Sequence, residues 1–239
     1  MSDIIERHAK IQAVRWQDQF FPPTRTLLYV LMSAILLFSG IFSARAAQPI
    51  VIVTYGDSLS AGYQLSEKDA FPAQLEKALK ARGHNVRLIN ASVSGDTTAA
   101  GLARFDWSFP EKADAAILEL GANDALRGLD PKGTRANLDK LLFKIKEKGA
   151  EPLLTGMLAP RNMGAKYSGS FDKIYPELAK KHDVLLYPFF LFDVVGKREL
   201  NLADGLHPNP KGVKKIVDQI LPKVEELLAR VAAKAAKTQ

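Results

Sequence analysis

Apolar and polar positions alternate with two different periods along most of the chain. Short runs of consecutive apolar, often β-branched residues are followed by stretches in which apolar residues recur every third or fourth position. The first pattern is typical of buried strands and the second of amphipathic helices. The short runs predict five strands, at residues 49–55, 85–92, 115–121, 151–158 and 184–189.

The longer periodic stretches lie between and after these strands. They predict helices at residues 71–83, 134–149, 171–182 and 210–234. In the first of them Pro72 suits an opening turn, and Leu75 and Leu79 share one face. Pro222 lies inside the last stretch, and it is expected to kink or split that helix because proline lacks a backbone N–H.

Strands that alternate with helices predict an α/β fold in which helices cover both faces of a parallel sheet. In such sheets the reactive groups lie beyond the carboxyl ends of the strands. Four loops at that edge are rich in glycine and polar residues, and they read "GDSLSAGY", "SVSGDT", "GAND" and "DGLHPN". We therefore expect four loops that are distant in the chain to meet at one edge of the sheet.

The first 46 residues follow neither period. Residues 26–42 carry no charge and are preceded by Arg25, and the following Ala44-Arg45-Ala46 has the small-x-small pattern of a signal peptidase site. The uncharged run is shorter than the ~20 residues of a spanning helix. We predict an N-terminal extension and signal peptide over residues 1–46, cleaved near Ala46, and one domain over residues 47–239. The mature protein would be periplasmic or secreted; an uncleaved inner-membrane anchor is the alternative.

Composition narrows the class of protein. The 239 residues are 47% hydrophobic and 25% charged, as in a globular domain with a substantial core. The absence of cysteine excludes disulfides, thiolate metal sites and a cysteine nucleophile. The net charge of +7 is dispersed, and no basic run is interleaved with aromatic residues. Nucleic-acid binding is therefore not expected, whereas weak contact with an anionic membrane surface stays open.

Ser58 directly follows the glycine and aspartate that end the first strand. A serine hydroxyl becomes a good nucleophile when a base removes its proton, and histidine is the usual base. His207 has Asp204 three residues earlier, in a loop at the reactive edge, so the carboxylate can orient the imidazole toward Ser58. The other histidines are interpreted as part of the N-terminal region or as surface turn residues: His8, His84 and His182. We predict a nucleophile, a base and an orienting acid in Ser58, His207 and Asp204.

Attack on a carbonyl also needs donors for the oxyanion, and loss of one donor typically slows such a reaction by about 10²- to 10³-fold. The backbone N–H of Ser58, the unhindered N–H of Gly95 and the neutral side-chain amide of Asn123 are the predicted donors. The aspartates beside these groups are interpreted as acceptors that brace the loops: Asp57, Asp96 and Asp124.

Several other chemistries lack their motifs. There is no Gly-x-Ser-x-Gly of an α/β-hydrolase, no paired histidines for a metal hydrolase and no glycine-rich phosphate loop. We expect neither a metal nor a cofactor.

Four motifs in order, "GDSLSAGY", "NASVSGDT", "LGANDALRG" and "DGLHPN", resemble the four sequence blocks of the SGNH (GDSL) hydrolases. The resemblance extends over residues 49–225 and is strongest to the bacterial periplasmic thioesterase I, lysophospholipase and arylesterase group. It implies a three-layer, flavodoxin-like fold with a five-stranded parallel sheet. It also implies the same roles for Ser58, Gly95, Asn123, Asp204 and His207. Ala122 replaces a glycine that is frequent in this family, which adds a methyl group beside Asn123.

The resemblance further implies hydrolysis of aryl esters, acyl-CoA thioesters or lysophospholipids through an acyl-enzyme. We expect a monomer that acts on small acyl substrates with short to medium chains. The alternative enzyme is a periplasmic polysaccharide O-acetyl esterase, and a non-catalytic, membrane-anchored binding module is the alternative outside enzymes.

The acyl chain is expected to bind beside the long loop at residues 158–170. Its apolar residues, with Met157 before it, are predicted to line an acyl groove: Leu158, Pro160 and Met163. The alternative is an ordinary surface loop.

Overall fold

The computed structural model describes residues 48–238, in which strands and helices alternate. The predicted extension and signal peptide at residues 1–46 lie outside the described residues. In the part that is described, no helix combines the length and the apolar character needed to cross a bilayer. The strands are β1 Ile50–Gly56, β2 Val86–Asn90, β3 Ala115–Glu119, β4 Glu151–Thr155 and β5 Leu185–Tyr187.

The five strands form one parallel sheet in the order β2-β1-β3-β4-β5. Ile52 of β1 pairs with Leu88 on one side and with Ala115 on the other. The chain thus adds β2 at one edge and then returns past β1 to build the other edge. This order is the flavodoxin-like one, and its reversal between β1 and β3 marks where such sheets bind ligands.

Helices cover both faces of the sheet, as the predicted α/β class requires. They are α1 Ser58–Ala61, α2 Phe71–Ala81, α3 Thr98–Ser108, α4 Ala122–Leu126, α5 Pro131–Glu147, α6 Ala165–Phe171, α7 Ile174–His182 and α8 Pro210–Thr238. Helices α2 and α8 pack on each other at one face, whereas α3, α5 and α7 pack side by side at the other. The three-layer, flavodoxin-like arrangement is confirmed.

The predicted strands and helices all occur, with ends shifted by a few residues. Their periodic apolar positions are buried and form one continuous core with the strand residues. These positions include Leu75, Leu79, Leu138, Leu141, Leu142, Ile145, Val213, Ile216, Val217 and Ile220. Burial of each such side chain contributes roughly 1.5–3 kcal/mol, so the apolar period decides where the helices form.

Several segments differ from the sequence prediction. Helix α3 was not predicted, because Gly101 interrupts its weak apolar stripe. That glycine allows close packing, since a Cβ there would lie 2.6 Å from a methyl group of Leu120. The stretch at residues 158–170, predicted as a loop, contains a 3₁₀ turn at Arg161–Met163 and most of α6.

Pro222 does not split the C-terminal helix, which is continuous from Pro210 to Thr238. An interior proline costs roughly 3 kcal/mol of helix stability. Ile220, Leu221 and Val224 are all buried around it, and their burial together exceeds that cost. The split is therefore wrong, whereas a kink at Pro222 stays a prediction.

Candidate active site

Ser58 is the first residue of α1, immediately after β1. Asp57 caps this helix, since its carboxylate accepts a hydrogen bond of 3.0 Å from the N–H of Leu59. Gly56 makes the exit from the strand possible, because a Cβ there would lie 2.6 Å from the carbonyl oxygen of Glu119. The turn therefore holds the serine half-buried at the carboxyl end of β1, an interior strand of the sheet.

His207 lies in a short loop that closes on itself just before α8. Asn201 and Pro208 form an antiparallel bridge, and the N–H of Leu202 donates to the carbonyl of His207 at 2.8 Å. Pro208 is buried beneath the loop. His207 is thus held by the framework of the domain, although its loop lies at the surface.

The structure brings Ser58, His207 and Asp204 into one hydrogen-bonded row. His207 Nε2 lies 2.9 Å from Ser58 Oγ, and His207 Nδ1 lies 2.7 Å from Asp204 Oδ2. A carboxylate can only accept, so Nδ1 carries the proton of the neutral ring and donates it. Nε2 is then the free acceptor that faces the hydroxyl of Ser58.

Asp204 is strongly held in its charged form. Its Oδ1 accepts from the backbone N–H groups of His207 at 3.0 Å and Leu206 at 2.9 Å. These backbone bonds, together with the bond from the imidazole, lower the pKa of Asp204 to about 2. Its negative charge therefore stabilises the imidazolium that forms when His207 takes a proton.

Asn123, in the short helix α4, lies beside the serine turn. Its Nδ2 donates to Asp57 Oδ2 at 3.1 Å. An amide nitrogen carries two hydrogens, so the second one is left for an oxyanion. Ala122, where the family often has glycine, is the first residue of α4 and packs partly buried against the core.

Gly95 lies in the loop after β2 and has a left-handed backbone, with φ of 87°. Two contacts fix this loop to the serine turn. The N–H of Val93 donates to the carbonyl of Gly56 at 3.0 Å. The buried guanidinium of Arg104 donates to Asp96 at 2.5 Å and to Gly56 at 3.3 Å. The two predicted backbone donors are therefore carried on connected loops.

The three aspartates interpreted as loop braces do accept such bonds. Asp57 and Asp96 have the partners given above. Asp124 accepts from the N–H and hydroxyl of Thr98 at 2.8 and 2.5 Å, and from the hydroxyl of Thr134 at 3.0 Å. All three carboxylates are buried.

A second carboxyl group, Glu119, lies beneath the serine turn and was not recognised from the sequence. It ends β3, is fully buried, and accepts a bond of 2.9 Å from the hydroxyl of Ser60. Burial raises the pKa of Asp57 to about 6 and raises that of Glu119 well above its usual range. The available signal was an acidic residue at the end of an otherwise apolar strand.

Tyr63 is another site residue that was not predicted. Its ring centroid lies 4.4 Å from that of His207, with the planes tilted by 36°. Gly62 and Gln64 on either side have left-handed backbones, with φ of 87° and 56°, and they turn the ring toward the imidazole. Only its place at the end of "GDSLSAGY" pointed to this role.

The other described histidines lie away from Ser58 and have carboxylates of their own. His84 Nε2 is 3.1 Å from Glu225, in the turn before β2, as interpreted. His182 is not a turn residue: it ends α7, its side chain is 13% exposed, and its Nε2 lies 2.5 Å from Asp139.

The predicted acyl-groove residues divide into two groups. Met157 is buried in the core, which corrects its assignment to the groove. Leu158 is exposed, and the methyl group of Met163 lies 3.0 Å from where a Cβ of Gly128 would be, beside the end of α4. Pro160 caps the 3₁₀ turn between them. A lining role for Leu158, Pro160 and Met163 stays a prediction.

Two surface cavities lie elsewhere. One of about 470 Å³ lies between α2 and β2, and one of about 270 Å³ is bordered by Tyr187, Pro188, Phe189 and Phe192. Neither is lined by Ser58 or His207. The candidate site is therefore distinct from both of these cavities.

This chain is similar to known ester and thioester hydrolases. The model of the GDSL-like Lipase/Acylhydrolase family matches residues 54–215. An arylesterase of Vibrio mimicus is 42% identical over 182 residues, which cover 76% of this chain and 90% of that protein. The thioesterase 1/protease 1/lysophospholipase L1 of Escherichia coli K12 is 39% identical over 193 residues, 80% of this chain and 91% of that protein.

A solved structure gives the same result. The crystal structure of AlinE4, an SGNH-hydrolase family esterase, superposes with a TM-score of 0.64 at 47% identity, covering 76% of this chain and 97% of that one. The matched proteins are named as ester or thioester hydrolases, and this chain is an enzyme of the same class. It belongs to the GDSL-like lipase/acylhydrolase family.

Proposed function

We propose that this enzyme cleaves carboxylic esters and thioesters through an acyl-enzyme formed on Ser58. The observation that carries the proposal is the 2.9 Å distance between Ser58 Oγ and His207 Nε2. At that distance a neutral imidazole can accept the hydroxyl proton directly.

In the first half of the reaction, Ser58 Oγ attacks the carbonyl carbon while its proton passes to His207 Nε2. The carbonyl oxygen becomes an oxyanion, and the N–H groups of Ser58 and Gly95 and the amide of Asn123 are its proposed donors. When the tetrahedral intermediate collapses, the imidazolium gives its proton to the departing alcohol or thiol. The acyl group remains on Ser58.

In the second half, a water molecule replaces the alcohol. His207 takes a proton from the water as the water oxygen attacks the acyl carbon, and the imidazolium then returns that proton to Ser58 Oγ. The products are a free carboxylic acid and the restored serine. Asp204 keeps its charge in both halves and offsets the positive charge of the imidazolium.

The proposed substrates are aryl esters, acyl-CoA thioesters and lysophospholipids with short to medium acyl chains. Support comes from the names of the arylesterase and of the thioesterase/lysophospholipase relatives. Exposed Leu158 and the partly buried Met163 at the same edge of the sheet supply apolar surface for a chain. We infer a monomer that needs no cofactor for these steps.

A fluorophosphonate probe tests the nucleophile, because it reacts covalently with activated serines. We expect the wild-type chain to be labelled and Ser58→Ala to be unlabelled and inactive on p-nitrophenyl esters. Ser94→Ala is the matched control, since it removes an exposed hydroxyl from another loop at the same edge of the sheet, and it should still be labelled. Labelling of the Ser58→Ala variant would overturn the proposal.

A series of p-nitrophenyl esters from acetyl to palmitoyl, with acyl-CoA beside it, would define the preferred length of the acyl chain.

The polysaccharide acetyl esterase gains little support. A sugar groove typically offers several aromatic side chains beside the nucleophile, and among the described residues Tyr63 is the ring that contacts His207. Trp107 is exposed, but it lies in the last turn of α3, a helix that begins near the site and leads away from it.

The proposed compartment is the periplasm or the medium, after cleavage near Ala46. The support is the uncharged run at residues 26–42 followed by small residues. N-terminal sequencing of the exported protein should begin near Ala47. An intact Met1 in the membrane fraction would favour the inner-membrane anchor instead.

A further inference from the structure

Glu119 is a buried carboxyl group that the proposed mechanism does not use. It lies at the carboxyl end of β3, next to the strand that carries the nucleophile, and its side chain has no exposure to solvent. Space around it is tight, because a Cβ at Gly56 would lie 2.7 Å from Glu119 Oε2. The carboxyl group therefore fills the volume directly beneath the serine turn.

The hydrogen bonds of Glu119 reach both sides of the nucleophile. Its Oε2 accepts from the hydroxyl of Ser60 at 2.9 Å and from the backbone N–H of Asp57 at 3.4 Å. Ser58 lies between these two residues. One oxygen atom thus fixes the start of α1 on either side of the serine whose position decides the geometry of attack.

The surroundings of Glu119 disfavour a negative charge. Among the described residues no lysine or arginine forms an ion pair with it, and its Oε1 is buried without a hydrogen-bond partner. A buried charge without a partner is far more costly than a buried neutral group. Burial and the nearby Asp57 carboxylate both raise the pKa of Glu119, in agreement with this geometry.

A second negative charge would also oppose the reaction. Asp57 already accepts a hydrogen bond from the amide of Asn123, so one acidic group lies beside this oxyanion donor without Glu119. Another carboxylate beneath Ser58 would repel the oxyanion in a region of low dielectric, where such repulsion is strong.

We propose that Glu119 is a positioning residue that works in its protonated, uncharged form, holding Asp57 N–H and the Ser60 hydroxyl on either side of the nucleophile. This inference rests on the proposed function of Ser58. The remaining ionisable groups that interact with this pair are the buried phenol of Tyr175 from α7, and His207 and Asp96, which act on Asp57.

Two substitutions separate the effect of shape from that of charge. Glu119→Gln is neutral and has the same length, and its amide oxygen can accept from Ser60 and Asp57. We expect this variant to retain kcat within about threefold, with an unchanged acid limb in its pH profile. Glu119→Ala removes the acceptor, and because small displacements of reacting groups cost up to about 10²-fold in rate, we expect kcat to fall by about 10- to 100-fold. KM should change little, since Glu119 does not touch the substrate.

The controls separate this inference from the proposed function. If Ser58→Ala retained activity, the proposed function itself would fail, whatever the Glu119 variants do. If activity depended on Ser58 but Glu119→Ala matched the wild type, or Glu119→Gln lost as much kcat as Glu119→Ala, only the present inference would fail.

A measurement on the wild-type chain covers the case in which a variant does not fold. Infrared difference spectra between wild type and Glu119→Gln, or wild type with isotope-labelled glutamate, should show the carbonyl band of a protonated carboxyl group at neutral pH. A carboxylate band in its place would overturn the inference without reference to activity.

Discussion

Two histidine–carboxylate pairs in this enzyme look alike but lie in different surroundings. At the edge of the sheet, His207 pairs with Asp204 at 2.7 Å. Between helices α5 and α7, His182 pairs with Asp139 at 2.5 Å. We call these the edge pair (His207–Asp204) and the helix pair (His182–Asp139). The helix pair has the shorter contact, and the side chain of His182 is 13% exposed whereas that of His207 is 21% exposed. Contact with a carboxylate and burial alone would therefore favour the wrong histidine.

What separates the pairs is the rest of each environment. His207 turns its Nδ1 to the carboxylate, which leaves Nε2 at 2.9 Å from Ser58. His182 uses Nε2 itself for Asp139, and that aspartate also accepts from Lys181 at 2.7 Å. The carboxylate of the helix pair is thus shared with a lysine and joins two helices, whereas that of the edge pair serves the imidazole and its own loop.

The largest expected difference is in the loss of the two imidazoles. His207→Ala should lower kcat/KM by at least about 10³-fold, because the serine loses its base. His182→Ala should leave kcat/KM within about twofold, since it lies far from the reacting atoms. Steady-state hydrolysis of a p-nitrophenyl ester measures both. Comparable losses in the two variants would remove the distinction between the pairs.

The carboxylates should differ less. Asp204→Asn should lower kcat by about 10²-fold or more, because an amide neither fixes the correct tautomer of the imidazole nor stabilises the imidazolium. The loss should not exceed roughly 10⁴-fold, the effect of the same change at a buried triad aspartate. Asp139→Asn should leave kcat unchanged. The same assay applies, with intact folding checked by circular dichroism. An Asp204→Asn enzyme with full activity would contradict the orienting role.

The smallest expected difference is in stability, and here we expect the larger loss for Asp139→Asn rather than for Asp204→Asn. The pKa of Asp204 is lowered by its backbone and imidazole bonds; that of Asp139 is lowered because bonds from Lys181 and His182 outweigh its partial burial. A carboxylate with a lowered pKa contributes stability above its unfolded value of about 3.9, and this contribution is lost as the pH falls through the folded pKa.

Both side chains are about one third exposed, so either contribution is below about 1 kcal/mol. Asp139→Asn should lower Tm more than Asp204→Asn at neutral pH, because in Asp204→Asn the amide oxygen can still accept the two backbone N–H bonds that do most to lower the pKa of Asp204, whereas Asp139→Asn loses its ion pair with Lys181. Both differences from wild type should shrink near pH 2. Thermal unfolding across this range tests the order, and a larger loss for Asp204→Asn would contradict it.

Most of the fold could be predicted because its signals are local. Apolar period and turn residues located β1 to β5 and the long helices, since burial rewards the same positions that the pattern marks. Helix α3 was missed because Gly101 weakens its stripe while serving a contact with Leu120, which is distant in sequence. Only tertiary structure explains that glycine.

The site residues likewise divide into those that local sequence signals identify and those that only the folded structure reveals. Elimination among four histidines and a spacing of three residues were enough to select His207 and Asp204. Glu119 contacts Ser60, which is 59 positions away in the chain, and Tyr63 contacts His207, which is 144 positions away, so no local pattern marks either residue. Met157 was misassigned because the sequence pattern of an apolar residue at the end of a strand does not distinguish a side chain in the core from one in a groove.

The serine and its base are separated by 149 positions in the chain. A nascent polypeptide that has emerged from the ribosome as far as β4 already contains Ser58, Gly95 and Asn123, but it has no imidazole to activate them. If His207 is the base, as proposed, hydrolytic activity requires that the last part of the chain has been synthesised and has packed beside Ser58. Incomplete translation products that end before His207 would then be inert toward acyl compounds, in whichever compartment they accumulate.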